Sequence, residues 1–364
     1  MDINKLETPV VLVDLERLDR NLRRAADSAK SAGVKLRPHF KTHKSVAIAK
    51  KQIEYGACGM TVAKIGEAEI LARAGIRDIL IAFPIVGETK LHRVAELIKS
   101  GVAITLSVDS VEVARGISQL GESLGTAIPL YVDVNTGLNR CGHEPGAETA
   151  ELVKRIAELK GISVQGLMTH GGHSYGQATE EGLKQVAAEE VGGLLRSKEL
   201  LEQAGIHVPE ISVGSTPTSK YIALQHGATE TRPGAYVYGD GVQLSTSIIG
   251  KDELAMTVMT TVVSTPRDGT VIVDGGSKTF SSDVNPHRPG YGIWKDNAEV
   301  YLERLSEEHG IVRVPPGMSF AIGDKLEFIP NHCCTVSNLH NELQGVRYGQ
   351  AAEVIHVDAR GQIR

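Results

Sequence analysis

The chain has 364 residues, 41% hydrophobic and 23% charged, and its 39 basic and 44 acidic residues give a formal net charge of −5. That size and composition predict a globular protein with a substantial core, divided into one large domain and one smaller one. The mildly acidic balance excludes a nucleic-acid footprint. No apolar run nears the roughly 20 residues of a membrane span, and four scattered cysteines (Cys58, Cys141, Cys333, Cys334) exclude a disulfide framework.

Along the chain, Pro9–Asp14 reads as a strand. Leu15–Ala32 then places Leu15, Leu18, Leu22 and Ala26 at helical spacing with charges between them. Val34–Leu36 is a short strand. Further strands are expected at Gly59–Val62, Ile79–Phe83, Ala103–Val108, Leu130–Val134, Val164–Met168, Ile211–Val213 and near Thr231. Amphipathic segments lie between them at Gly66–Ala74, Lys90–Ser100, Glu112–Leu124, Ala147–Leu159 and Ala178–Ala204. Apolar strands separated by helices indicate a parallel sheet, and eight such units fit a closed (β/α)₈ TIM-like barrel, an α/β fold. No Gly-x-Gly-x-x-Gly follows the first strand, which argues against a doubly wound sheet. Beyond residue 240, Ala255–Ser264, Thr270–Val273 and Lys325–Ile329 read as strands with little helical periodicity between them. The expected domains are a barrel over residues 15–240 and a mainly β domain from residues 1–14 and 241–364.

Barrel chemistry sits where strands end. After the first barrel strand comes Arg37-Pro38-His39-Phe40-Lys41-Thr42-His43-Lys44, with three cations and two histidines in eight residues. A lysine delivered there suits a Schiff-base nucleophile, because neighbouring cations favour the free amine. The fifth strand leads to Arg140, between Gly137 and Gly142. The sixth leads to His170-Gly171-Gly172-His173-Ser174-Tyr175. After the seventh and eighth come Gly214-Ser215-Thr216-Pro217-Thr218 and Arg232-Pro233-Gly234-Ala235-Tyr236, whose exposed N–H groups and hydroxyls suit a phosphate dianion. A lysine together with a phosphate cradle points to pyridoxal 5'-phosphate (PLP). Far away comes Pro330-Asn331-His332-Cys333-Cys334-Thr335-Val336; if this run is extended, His332 and Cys334 share a face and Cys333 points away. Imidazole plus thiolate suits Zn²⁺, and two protein ligands leave positions open for chemistry. Asp274-Gly275-Gly276 reads as a tight turn.

These motifs, in this order and with Asp274-Gly275-Gly276-Ser277-Lys278 among them, resemble the D-serine dehydratase and D-threonine aldolase family of PLP enzymes, which share the alanine-racemase-like barrel (fold type III). The resemblance implies that Lys41 bonds the cofactor covalently and that Arg140 approaches its phenolic oxygen. Ser215, Thr216, Gly234 and Ala235 would bind the phosphate, with His173 and Tyr175 lining the pocket. Arg232 stands where an alanine racemase arginine meets the pyridine nitrogen. The full candidate cofactor set adds His39, His170 and Tyr236, and the candidate metal ligands are His332 and Cys334, for Zn²⁺ or else Mn²⁺ or Mg²⁺. Thr335 departs from the family pattern, which often has proline there. In this family aldolase members tend to carry aspartate where Cys334 stands and dehydratase members cysteine. The implied reaction is therefore elimination of a β-hydroxyl from a D-3-hydroxy amino acid, giving a 2-oxo acid and ammonia. The alternatives are retro-aldol cleavage to glycine and an aldehyde, racemisation, and a PLP-binding homeostasis protein without turnover. A homodimer whose partner's β domain completes the site, with Asp274 and Lys278 as contributors, is also implied. The expected compartment is the cytoplasm, with neither membrane nor nucleic acid as partner.

Overall fold

The apolar spacing of the first helix is realised in a computed structural model, which describes residues 1–246 and 248–364. Strand β1 (Val10–Asp14) leads into helix α1 (Leu15–Ser31), where Leu15, Leu18 and Leu22 are buried along one face. The chain then divides into two compact units. One holds residues 24–41, 48–234 and 362–364, the other residues 1–23, 42–47 and 235–361.

The first unit is built on β2 (Lys35–Leu36), β3 (Met60–Val62), β4 (Asp78–Ile81), β5 (Ala103–Val108), β6 (Ile128–Asp133), β7 (Ile162–Met168), β8 (Glu210–Val213) and β9 (Glu230–Thr231). All eight pair in parallel, in the order β2-β9-β8-β7-β6-β5-β4-β3. The sheet edges meet: Cys58 N–H donates to Leu36 O (2.9 Å), Thr61 N–H donates to Pro38 O (2.8 Å), and His39 bridges Thr61 in parallel. This is the (β/α)₈ barrel expected from the sequence. Helices α2 (Val46–Glu54), α3 (Ile65–Arg73), α4 (Glu88–Lys99), α5 (Val111–Leu124), α6 (Ala147–Ala157) and α7 (Glu180–Gln203) fall between strands. Of these only α2 has no counterpart among the predicted segments. Its nine residues include two adjacent lysines and a weak apolar stripe.

The second unit carries β10 (Met256–Arg267), β11 (Thr270–Val273), β12 (Gly292–Trp294), β13 (Tyr301–Leu305), β14 (Gly310–Arg313), β15 (Lys325–Pro330), β16 (Glu342–Arg347) and β17 (Gln350–His356). β11 pairs with both β14 and β10, so β10-β11-β14-β13-β12-β15 closes into an antiparallel ring, and β1, β16 and β17 extend it from β10. One condition left open by the sequence is not met. The run after Pro330 is not extended, because Cys333–Leu339 forms a helix with His332 as its N-cap residue. No helix among the described residues is long and apolar enough to cross a membrane.

A buried ion cluster locks β2 into the barrel. The Arg37 guanidinium donates to Glu230 Oε2 (2.7 Å) and to Asp78 Oδ1 (2.6 Å), while Ser212 Oγ donates to Glu230 Oε1 (2.6 Å). Gly59 makes room for it, since a Cβ there would lie 2.5 Å from Arg37 Nη1. Arg37 and Glu230 are 7% and 0% exposed, so neither charge tolerates loss of its partner. Glu230→Ala should therefore lower the free energy of unfolding by about 3–5 kcal/mol. Asp78→Asn, at a half-exposed carboxylate, should cost less than about 1 kcal/mol. Urea denaturation of the two variants checks the contrast.

Candidate active site

The lysine segment is a packed structural element, not a solvated basic turn. Backbone pairing continues past β2, with Arg37 N–H donating to Thr231 O and His39 N–H to Pro233 O, each at 2.9 Å. A single 3₁₀ turn, Phe40–Thr42, follows and buries Phe40 completely. Arg37, Thr42, His43 and Lys44 are buried, while His39 and Lys41 are half-buried at the end of the strand. Lys44 holds a left-handed backbone (φ 50°), and its Nζ donates to Asn338 Oδ1 at 2.8 Å.

The other strand ends bring the remaining candidates to the same mouth. After β6, Asn135 Oδ1 accepts from the N–H groups of Gly137 (3.2 Å) and Asn139 (2.9 Å), and Asn139 (φ 57°) turns the chain to present Arg140. After β7, His170 Nδ1 lies 3.3 Å from Gly214 O, and Ser174 Oγ lies 2.9 Å from Ser215 Oγ. The loops after β7 and β8 are clamped by the buried Glu190 of α7, whose Oε1 accepts from Gly171 N–H (2.7 Å) and Gly214 N–H (3.3 Å). Ser215 caps the short helix α8 (Thr216–Ser219), and Gly234 N–H donates to Thr216 Oγ1 at 3.3 Å, tying in the loop after β9. Ala235 and Tyr236 follow Gly234 in the chain and open a 3₁₀ turn of the second unit. Tyr175 is half-buried in the turn Gly172–Gly176.

Electrostatics at this mouth favour an anion. Burial, then the charge of Lys41, holds His39 well below the ordinary imidazole value. His170 is pushed down to about 3 by burial first, then by Lys41 and Arg140. Burial also raises Asp133 to about 6, against the pull of Arg232 and Arg140. Arg232 is buried, and its guanidinium donates to Ser212 Oγ and to the Thr169 carbonyl. Among the described residues, the buried atoms without a partner include Thr231 Oγ1 and both ring nitrogens of His173. A Cβ on Gly214 (φ 111°) would lie 2.6 Å from that Thr231 hydroxyl, so the backbone passes close by. Unsatisfied buried side-chain polar atoms beside a buried arginine fit a phosphate-bearing ligand such as PLP.

In the second unit β15 ends at Pro330, and His332 and Cys334 meet at the start of helix Cys333–Leu339. They touch as an imidazole–thiolate pair. The Cys334 charge, with a hydrogen bond from His332 Nδ1 to Asp240 adding to it, raises His332 well above its usual value. A hydrogen bond from Cys333, and the His332 charge, hold Cys334 well below the usual thiol value. Thr42 Oγ1 lies 3.2 Å from Cys334 Sγ. Cys333 is fully buried and unbridged. Among the described residues no cluster of three or more His, Cys, Asp or Glu is arranged to hold a metal. His332 and Cys334 therefore stand as a two-residue donor set, whose chemistry fits zinc with open positions. Asp274 is tied into the β unit by Thr8 Oγ1 (2.5 Å) and Thr261 N–H (2.8 Å), and Lys278 pairs with Glu307 and Glu308 at the surface. His309 sits in the Ser306–His309 turn.

Four participants went unread in the sequence. Glu190 lies mid-helix, where a carboxylate reads as solvent-facing, and Asp240 is 92 residues from its partner His332. Thr42 and Thr231 had a signal, since each adjoins a residue that was singled out.

Residues 13–241 match the model of the alanine racemase N-terminal domain, and residues 255–346 match the serine dehydratase domain model. The chain belongs to the alanine racemase N-terminal domain family. Among curated relatives, it is 34% identical to a D-threo-3-hydroxyaspartate dehydratase of Delftia sp. (strain HT23), covering 90% of this chain and 91% of the relative. Among solved structures it is similar to D-threonine aldolase from Filomicrobium marinum, with a TM-score of 0.92, 30% identity, and coverage of 100% and 98% of the two chains. It is also similar to a cysteine-to-alanine mutant of D-threo-3-hydroxyaspartate dehydratase in the metal-free form, with a TM-score of 0.90, 31% identity and 98% coverage of both chains. The alanine-racemase-like fold and the family anticipated from the motifs are both borne out.

The depressed histidine at the mouth has a consequence for stability. His170 binds its proton less readily in the folded chain than in the unfolded one, where the value is near 6.5. Its contribution is complete above about pH 6.5 and is lost as pH falls towards 3. In cofactor-free protein, His170 alone should remove at most about 2 kcal/mol of stability between pH 7 and pH 5. His170→Gln should flatten that part of the urea-midpoint profile, and an unchanged slope would contradict the assignment.

Proposed function

We propose that this chain is a PLP-dependent, divalent-metal-assisted lyase that removes the β-hydroxyl of D-3-hydroxy amino acids, giving a 2-oxo acid and ammonia. One observation carries the reading. Lys41 sits at the barrel mouth within electrostatic reach of His170, and His170 bonds to Gly214, where the anion cradle begins. The similarity to dehydratases and aldolases of D-3-hydroxy amino acids over nearly the whole chain supports it.

Lys41 would hold PLP, and its amine would serve as the general base for the α-proton. Bound PLP supplies an electron sink for the bond broken at Cα. Ser215, Thr216, Gly234 and Ala235 would bind the phosphate, Arg140 would serve the phenolic oxygen, and His39, His170, His173, Tyr175 and Tyr236 would line the pocket. Arg232, its guanidinium held by Ser212 and Thr169, acts as a fixed positive charge. His332 and Cys334 hold the metal, and their donor types favour zinc over Mn²⁺ or Mg²⁺. That ion supplies Lewis acidity for a hydroxide leaving group. The thiolate at position 334 and the similarity to a dehydratase whose cysteine mutant is metal-free favour elimination. Retro-aldol cleavage is the second reading, favoured by the full-length similarity to a D-threonine aldolase. The barrel over 15–240, the metal-carrying β domain and a homodimer completing each site belong to the same proposal.

The wild type should show the yellow absorbance of lysine-bound PLP, and Lys41→Ala should lose it. D-serine and D-threo-3-hydroxyaspartate should yield a 2-oxo acid and ammonia, and EDTA should reduce turnover at least tenfold. Glycine as the main product would replace elimination with cleavage, and EDTA-resistant racemisation would sink both lyase readings. Light scattering on the purified protein reads the dimer.

A further inference from the structure

Behind His332 stands a group that no motif singled out. Asp240 is fully buried and is the N-cap residue of the short helix α9 (Gly241–Ser245). Its Oδ1 accepts from Gln243 N–H at 3.0 Å, and its Oδ2 accepts from Cys333 N–H and lies beside His332 Nδ1, each at 3.3 Å. Bonds from three points of two helix starts leave this carboxylate no freedom to swing. Gly241 permits the approach, because a Cβ there would lie 3.2 Å from Pro330 O and 3.4 Å from Asn331 Cα. The fold therefore places a fixed carboxylate at Nδ1 of an imidazole that also hydrogen-bonds the Cys334 sulfur.

We propose that Asp240 is the positioning residue of the metal site: it accepts the Nδ1 proton of His332 and so fixes the ring's tautomer and orientation, leaving the Nε2 lone pair for the divalent ion. The inference rests on His332 and Cys334 being the metal ligands and adds what orients the first of them. A histidine that donates its second nitrogen to a carboxylate is both more basic towards metal and held in one rotamer, and removing such a carboxylate typically costs 10–100-fold in affinity. Asp240 also places a negative charge where the ion's positive charge will arrive, without occupying one of its coordination positions. Thr42 lies at hydrogen-bond distance from the Cys334 sulfur. Each of the two donors thus has its own fixed neighbour.

The test is zinc affinity of the full-length, PLP-loaded protein, measured by competition with a chromophoric chelator. Asp240→Asn keeps the side-chain shape and the cap on Gln243, and His332→Ala reports on the ligand itself. The expected result is a 10–100-fold weaker zinc site in Asp240→Asn, with the PLP absorbance unchanged. Co²⁺ loaded in place of zinc should give a shifted thiolate-to-metal band in the same variant. Weakened binding in His332→Ala but not in Asp240→Asn overturns the role given to Asp240 and leaves the metal site standing. Zinc affinity unchanged in both overturns the metal site and this inference together. Should Asp240→Asn fail to fold, a zinc-loaded crystal structure of the wild type decides: metal on Nε2 with Nδ1 on Asp240 supports the assignment, and metal on Nδ1 overturns it.

Discussion

The site depends on a two-residue strand being held from both sides. β2 is only Lys35–Leu36, too short to hold its own place, yet the chain stays in register to His39 because Thr231 and Pro233 carbonyls accept from one flank and Leu36 and Pro38 carbonyls are bonded from the other. The Arg37–Glu230 pair sits buried at that seam, with the half-exposed Asp78 as the second partner of Arg37. A guanidinium buried beside a carboxylate is a weak source of net stability but a strong constraint on register, since a slip would strand both charges. Lys41 comes four residues after Arg37. Its position is set by that seam and by the turn that buries Phe40.

The second donor pair shows the opposite economy. Nothing long-range is needed to bring His332 and Cys334 together once Cys333–Leu339 is a helix, because a cap residue and the second helical residue lie at the same helix start. Strand β15 delivers the chain there, and Asn331 anchors the junction by donating to the carbonyls of Asp283 (3.0 Å) and Gly290 (2.9 Å). The unpaired N–H groups of a helix start also favour a thiolate over a thiol. Local geometry makes the pair, and tertiary contacts aim it.

Much of this was legible in the residues, for identifiable reasons. The barrel strands fall within two or three residues of their predicted limits because buried parallel strands are continuous apolar runs bounded by glycine and charge. Strands β12, β13, β14, β16 and β17 all escaped: the first three are short, with Glu303 unpaired at an irregularity in the β13–β14 ladder, and β17 is largely exposed. The Pro330–Val336 run misled because Cys, Thr and Val favour extended backbone in isolation. Here the hydrogen bond from Cys333 N–H to Asp240 supplies the helix start, and that partner is invisible in a local window. The candidate residues were found by residue type at strand ends; the groups that hold them, Glu190 and Asp240, were missed because their partners are distant in sequence.

The charge state of the barrel mouth follows from burial more than from composition. Around Lys41 lie two imidazoles, two guanidiniums and the carboxylates Asp133 and Glu190. Counted formally, the acids nearly balance the arginines. Burial shifts that count in one direction for the weak groups. It drives His39 and His170 towards the neutral form, and it raises Asp133 to about 6 and Glu190 above its usual range. Guanidinium, the one group here that burial cannot discharge at ordinary pH, keeps its charge. Burial thus weakens the ionisation of the acids and of the imidazoles together, and leaves the guanidiniums as the fixed charges of the mouth. Glu190, with its carboxyl raised by burial, clamps Gly171 and Gly214 at the loops proposed to hold the phosphate.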